Sequence, residues 1–363
     1  MSAVAVPVVE PQIGPAERDA VDRVLRGGYL SQGAEVAAFE TEFSTFVGGR
    51  PCVAVSSGTS ALQLGLLAAG VGPGDEVIVP SFTAVATANA VALTGATLVF
   101  ADIEPTTYCL DPRAVEAAVT PRTVGVVPVH LFGQPADLTA FERLAQTYGL
   151  GIFGDACQAH GARMHGRSVA SFGTLAAFSF HPTKNMTTGE GGMVVCADDG
   201  IADRVRVLRD QGMAKRVADE VVGFNARMTD VAAAIGRVQL DRLPGFNRVR
   251  RMNASLLDDG LRAVATPVVR SYSRHVFQQY VVRSVMRNRI GAELARRGLG
   301  SAVSYPTPVH RLPAYSVEVD LPETERAASE LLSLPVHPGV EADDVQRVVR
   351  AVNDVTTAWR IAS

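Results

Sequence analysis

Gly151-Ile152-Phe153-Gly154-Asp155-Ala156-Cys157-Gln158-Ala159-His160 opens the stretch that decides the fold, and Phe178-Ser179-Phe180-His181-Pro182-Thr183-Lys184-Asn185 carries it on. Gly151–Asp155 is a short apolar run that delivers an aspartate at its end. Such runs, bounded by turn residues, read as buried strands. Leu175–Phe180 is a second run, ending just before the loop that holds Lys184, and Gly192–Cys196 is a third that closes the loop. A carboxylate and an amine therefore arrive at successive strand ends. Alone, a lysine is usually a solvated surface charge, and an aspartate after a strand usually caps a turn or helix. The groups that accompany the pair give it chemical meaning.

Toward the N-terminus the same alternation continues. Cys52–Val55, Glu76–Val79, Thr97–Ala101 and Val124–His130 read as strands. Thr59–Ala69, Ala84–Leu93, Asp111–Val119 and Leu138–Tyr148 read as the intervening helices, with Asp111-Pro112 as a start signal. This pattern predicts an α/β fold: a mostly parallel mixed sheet sandwiched by helices. Ligands of such sheets bind at the carboxyl ends of the strands. Ser56–Thr59, Ser81–Phe82, His130, Asp155 and Ser179 all fall there. From Asp241–Leu257, read as a long helix, the chain passes into a smaller α+β region. Strands are expected there at Val276–Val285 and from Val303, and helices near Gly291–Arg297 and Asp343–Val352. The expected division is an N-terminal segment, 1–25, packing on the small domain, a large domain, 26–240, and a small C-terminal domain, 241–363.

Composition narrows the class of partner. The chain has 363 residues, 47% apolar and 20% charged, with a net charge of -3. That balance gives no electrostatic reason to expect nucleic acid or an anionic membrane. Cys52, Cys109, Cys157 and Cys196 are widely spaced without a C-x-x-C pair, so neither a disulfide framework nor a zinc site is expected, and a reducing cytoplasm fits. The histidines show no metal-ligand spacing, and no metal is expected. The N-terminus lacks the basic start and sustained apolar core of a signal peptide. The uncharged stretch from Val77 to Ala101 contains Pro80, Ser81, Thr83, Asn89 and Gly95, which suits a strand, loop and buried helix better than a membrane span.

Lys184 and Asp155 together match the needs of pyridoxal 5'-phosphate. An amine can hold the aldehyde as a Schiff base, and a carboxylate can keep the pyridine nitrogen protonated so that the ring accepts electrons. Ser56-Ser57-Gly58-Thr59 lies between a strand and a helix, where free N–H groups and the dipole end favour a phosphate. Hydroxyls of Ser57 and Thr59 would add donors, although for the tetrapeptide by itself an N-cap with a turn glycine is the favoured explanation. No lysine follows the glycine at Walker spacing. Phe82 could stack on a flat ring or simply belong to the core. Gln158, three residues after Asp155, could reach a phenolic oxygen. Ser179 precedes Lys184 by five residues.

In this order the residues resemble the DegT/StrS family of sugar aminotransferases, whose fold is type I of the pyridoxal phosphate enzymes. The resemblance runs from Gly28-Tyr29-Leu30-Ser31-Gln32-Gly33 to Leu334-Pro335-Val336-His337-Pro338. Its most specific stretches are Gly72–Pro80, Pro128–Gly133, Thr188–Gly192 and Gly223–Asp230. It implies that Lys184 is the Schiff-base lysine and proton shuttle and that Asp155 pairs with the pyridinium. Gly58, Thr59 and Ser179 would hold the phosphate, Phe82 would stack on the ring, and Gln158 would contact its face or phenolic oxygen. Asn225 would reach the phosphate in the other subunit's site, so a homodimer with shared active sites is implied. Cys157 stands where alanine is common and Phe224 where tyrosine is common.

The activity so implied is ping-pong transfer of an amino group from an amino acid donor, glutamate or glutamine, to a keto group of a nucleotide-linked deoxy sugar. A keto-inositol-type cyclitol is the alternative acceptor, and a non-catalytic cofactor-binding regulator is the alternative from another class. Relatives with histidine in place of the lysine dehydrate their substrates, so the lysine here favours amino transfer. Tyr29, His181, Tyr305 and His310 are the candidate acceptor contacts, and Arg227 is a candidate for a carboxylate or diphosphate.

Overall fold

Strands covered on both faces are largely apolar, and most residues of the central strands here are apolar and buried. In a computed structural model describing residues 6–214, 218–219 and 221–362, a seven-stranded sheet forms the centre of the chain. In chain order its strands are β1 (Cys52–Val55), β2 (Glu76–Pro80), β3 (Thr97–Ala101), β4 (Thr123–Val126), β5 (Gly151–Asp155), β6 (Leu175–Ser179) and β7 (Gly192–Cys196). They lie side by side as β1-β7-β6-β5-β4-β2-β3. Only β7 runs against the rest, pairing antiparallel with β1 on one side and β6 on the other. The mostly parallel mixed sheet read from the sequence is thus present.

Alternate side chains enter different cores. Val53, Val55, Leu175, Ala177, Val194 and Cys196 meet α3 (Gly58–Ala68) and α7 (Asp199–Arg209) on one face. Cys52, Ala54, Ala176, Phe178, Met193 and Val195 face Phe39 and Phe43 of α2 (Ala34–Val47) on the other. This period of two, buried on both sides, is why the sequence shows apolar runs instead of a polar–apolar alternation. Helix α1 (Pro15–Gly27) packs Ala20 and Val24 on Ala234 of the long helix α8 (Asp230–Gly260), whereas Val6 belongs to the C-terminal core.

Two sequence expectations need correction. Helix α8 is 31 residues long and starts eleven residues before the Asp241 expected as its beginning. Thr229 caps it, its hydroxyl accepting from Ala232 N–H at 3.1 Å, and Pro244 sits within the helix without ending it. It therefore crosses residue 240 without a break. Nor does a strand run on from Val303. The C-terminal strand pair is Tyr280–Arg283 with Leu331–Leu334, and Ala302 makes only a single bridge to Ser333. Tyr305 at φ 53°, followed by Pro306 and Pro308 without N–H groups, cannot continue a ladder. The four cysteines are unpaired. Among the described residues no helix is long and apolar enough to cross a membrane, and no His/Cys/Asp/Glu cluster could hold a metal ion.

Candidate active site

At the carboxyl ends of β1, β2, β5 and β6 lies a cavity of about 300 Å³. Ser57, Gly58 and Thr59 line it from the start of α3, and Thr83, Ala84, Ala86 and Thr87 from the end of β2 and the start of the helix Val85–Ala92. Asp155, Cys157 and Gln158 follow β5, and Ser179, His181, Lys184 and Glu190 follow β6. The strand ends thus place the amine, the carboxylate and a helix N-terminus in one space.

The helix N-terminus is shaped for close approach. Ser57 caps α3, its Oγ accepting from Ser60 N–H at 3.1 Å. A Cβ at Gly58 would lie 2.6 Å from Cβ of Ser179 and 2.9 Å from Sγ of Cys157. One at Gly192 would collide with the carbonyl of Ser57. Glycine at both positions lets β1, β6 and β7 converge around N–H groups that face the cavity, the donor set that holds a phosphate. Gly58→Ala is expected to destabilise the protein by about 1–3 kcal/mol through overpacking. It should also weaken binding of pyridoxal phosphate. Thermal melts of the variant with and without that cofactor read both effects.

Asp155 is 7% exposed, and each carboxylate oxygen has a donor. Oδ1 accepts from the Cys157 N–H at 3.1 Å and Oδ2 from the Thr87 hydroxyl at 2.7 Å. Burial, reinforced by the Asp155 charge, pushes the Cys157 thiol well above its ordinary range, which keeps it protonated and a poor nucleophile.

Lys184 lies on a loop held at many points. Phe180 N–H donates to Gly191 O at 2.8 Å, Thr188 N–H to Phe180 O at 3.0 Å, and Lys184 N–H to His181 O at 2.9 Å. Gln278 Nε2 donates to Thr183 O at 2.8 Å, and Asn185 Nδ2 to Asn247 Oδ1 at 2.7 Å.

The structure distributes the sequence-derived residues unequally. Lys184, Asp155, Ser57, Gly58, Thr59, Gln158, Ser179 and His181 line the cavity. Phe82 does not, which corrects the expectation that it stacks on a ring there. It is fully buried, edge-on to Tyr305 at 5.5 Å and to Phe132 at 6.3 Å, and Ala84 lines the cavity instead. His130, also expected at the strand ends, is buried with Nδ1 accepting from Ala136 N–H. Burial drives its pKa down to about 3, so it stays neutral.

His310 is buried too. Ser81 Oγ accepts from its N–H at 2.9 Å and meets its Nδ1 at 2.7 Å, while Nε2 lies 3.1 Å from Glu325. Those contacts make it a strut beneath the strand end, outside the cavity. Tyr305 reaches the site through Gln158, whose Nε2 donates to the phenol oxygen at 2.8 Å while its Oε1 accepts from Phe132 N–H at 2.7 Å. The second amide proton of Gln158 is left for a ligand. Burial raises the Tyr305 phenol to about 12, so it remains protonated. Tyr29 is 82% exposed, Asn225 is exposed, and neither lines this cavity. Arg227 is paired with Asp210. Thr83, Thr87, Ala84, Ala86, Leu62 and Glu190 line the cavity without having been named as site candidates from the sequence, and Cys157, noted there only as a departure from the family pattern, lines it too. The spacing of Thr83 and Thr87, four residues apart at a helix start, was the available signal for two of them.

A family model described as the DegT/DnrJ/EryC1/StrS aminotransferase family matches residues 11–353. The dTDP-3-amino-3,4,6-trideoxy-alpha-D-glucose transaminase of Streptomyces venezuelae is 41% identical over 348 residues, 93% of this chain and 92% of that protein. A pleiotropic regulatory protein of Geobacillus stearothermophilus is 38% identical over 351 residues, 94% of each. The crystal structure of S. venezuelae DesV matches with a TM-score of 0.91 at 40% identity, covering 94% of both chains. The matched span contains every residue that lines the cavity, and this chain belongs to the DegT/DnrJ/EryC1/StrS aminotransferase family and is an aminotransferase.

Proposed function

We propose that the chain binds pyridoxal 5'-phosphate and moves an amino group from glutamate or glutamine to a keto group of a nucleotide-linked deoxy sugar. The observation that carries this reading is the single cavity holding Lys184, Asp155 and the Ser57–Thr59 cup with Ser179. The dTDP-sugar transaminase at 41% identity supports the class of acceptor. When bound, the cofactor supplies an aldehyde that takes up amines and a ring that takes up electrons.

The chain's own residues do the rest. The N–H groups and hydroxyls of Ser57–Thr59, with the Ser179 hydroxyl, hold the phosphate. Asp155 accepts the ring N–H and balances its charge. Lys184 holds the cofactor through Nζ and serves as the base that takes the proton from the donor's α-carbon. Gln158 donates its remaining amide proton toward the phenolic oxygen. Asn225 reaches the phosphate of a second copy, which makes the working unit a homodimer. Its exposure beside Val222, which is 92% exposed, and Phe224 supports that role.

The test is the visible spectrum of the cofactor-loaded protein before and after L-glutamate or L-glutamine. The expected result is loss of the visible band with one of the two, and its return on adding a dTDP-linked keto sugar. Return with a keto-inositol alone would transfer the assignment to a cyclitol acceptor. A spectrum that ignores every amino donor would instead favour a binding role like that suggested by the name of the Geobacillus relative.

A further inference from the structure

Asp155 is fixed from two directions. Its backbone is tied at both ends, N–H to Pro128 O at 2.9 Å and carbonyl to His130 N–H at 2.9 Å. Its side chain is held by the Cys157 N–H and by the Thr87 hydroxyl, the shorter contact at 2.7 Å. Thr87 is 1% exposed, lies in the first turn of the helix Val85–Ala92, and is a β-branched residue with a stiff χ1. Its hydroxyl oxygen also sits 3.2 Å from the hydroxyl of Thr83, itself 2% exposed.

The direction of these bonds follows from elementary chemistry. An ionised carboxylate only accepts, so the Thr87 proton points to Asp155. Its lone pairs are then left for Thr83, whose proton must point to Thr87. Two buried hydroxyls form a one-way chain, Thr83 to Thr87 to Asp155, and successive hydrogen bonds of this kind polarise one another.

We propose that Thr87, backed by Thr83, is a positioning residue that sets the Asp155 carboxylate for the ring nitrogen of the cofactor. This rests on the cofactor reading given above. Thr87 and the Cys157 N–H each occupy one carboxylate oxygen, and the remaining lone pairs are left for a ring N–H. Without Thr87 the carboxylate keeps one donor and can rotate about χ2, so the pairing with the ring loses both strength and aim.

The decisive variant is Thr87→Val, which keeps the shape and removes the proton. In the holoenzyme it should raise the dissociation constant for pyridoxal phosphate, read by titrating cofactor-free protein, by roughly ten- to hundredfold. The half-reaction rate with the amino donor should fall by a similar factor while the donor KM is unchanged. Thr87→Ser restores the hydroxyl and should recover both. The cofactor-free Thr87→Val protein should melt cooperatively and only a few degrees below wild type, the cost of leaving the buried Thr83 hydroxyl without its acceptor, which separates positioning from folding. Thr83→Val should cost less, about threefold, and nothing further when added to Thr87→Val, because Thr83 acts through Thr87.

Wild-type affinity and rate in Thr87→Val would overturn the inference, as would a Thr87→Ser protein no better than the valine variant. If Thr87→Val does not fold, wild-type cofactor affinity and half-reaction rate in Thr83→Val alone overturn it, because Thr83 reaches Asp155 only through Thr87. Wild-type protein that takes up no cofactor would overturn the functional reading and this inference together, whereas a working wild type beside an indifferent Thr87→Val sinks the inference alone.

Discussion

Lys184→Ala is expected to lower amino transfer by at least about a thousandfold, because in the proposed mechanism one side chain supplies both the covalent attachment and the base. The fold should survive. Lys184 is on a loop whose hydrogen bonds are made by its backbone and by Thr183, Asn185, Thr187 and Gln278, none of which the substitution removes. Borohydride reduction of cofactor-loaded wild-type protein, followed by peptide mapping, gives an independent check. The chain has one other lysine, Lys215, so the attachment point is read between two peptides. Label on the Lys184 peptide, lost in the alanine variant, is the expected pattern. A variant that keeps the visible band and the half-reaction would remove Lys184 from the chemistry.

Asp155→Ala should slow the half-reaction by roughly a hundred- to a thousandfold, the scale seen when a preorganised charge partner is removed from an active site. The cofactor should still load, since Lys184 and the phosphate cup are intact, although with weaker affinity. The Thr87 hydroxyl and the Cys157 N–H both lose their acceptor, so the change leaves unpaired donors in a buried place. Asp155→Glu is a useful companion, because it keeps the charge and shifts it by a methylene. Single-turnover kinetics with the amino donor separates the two, with the glutamate variant expected between alanine and wild type. Wild-type rates in Asp155→Ala would dissociate this carboxylate from the ring.

The sheet is legible in the sequence because most of its strands, such as Cys52–Val55, Leu175–Ser179 and Gly192–Cys196, are buried throughout and so read as apolar runs between turn residues. Lys184 and Asp155 were legible because few other arrangements place an amine and a carboxylate at successive strand ends. Phe82 was misread as a platform. Its direction follows from parity: it shares the core of Ile78, four residues earlier, while Val77 and Val79 enter the opposite core. Phe82 stays in that core past the end of β2, and the following bend leaves Thr83, Ala84 and Thr87 on the cavity. The expected helix Asp241–Leu257 already takes in Pro244 and lacks the eleven residues of α8 that precede Asp241. Its true start is marked by Thr229-Asp230, whose aspartate also accepts the N–H groups of Gly33 and Val36 at the head of α2. That second role depends on a contact across almost two hundred residues, which no local pattern records.

The reversed strand β7 has a mechanical consequence. Because it returns beside β6, the Lys184 loop is a hairpin tip clamped at both ends, from Ser179 opposite Gly192 outward, and stapled along its length. Such a tip is stiff, and the compliance that the cycle requires resides in the four-carbon stem of one side chain. Rotamer hops of that kind take picoseconds to nanoseconds, whereas turnover in enzymes takes about milliseconds to a second. In the proposed cycle Lys184 would therefore return to its starting place by side-chain rotation alone, with no backbone rearrangement asked of this loop.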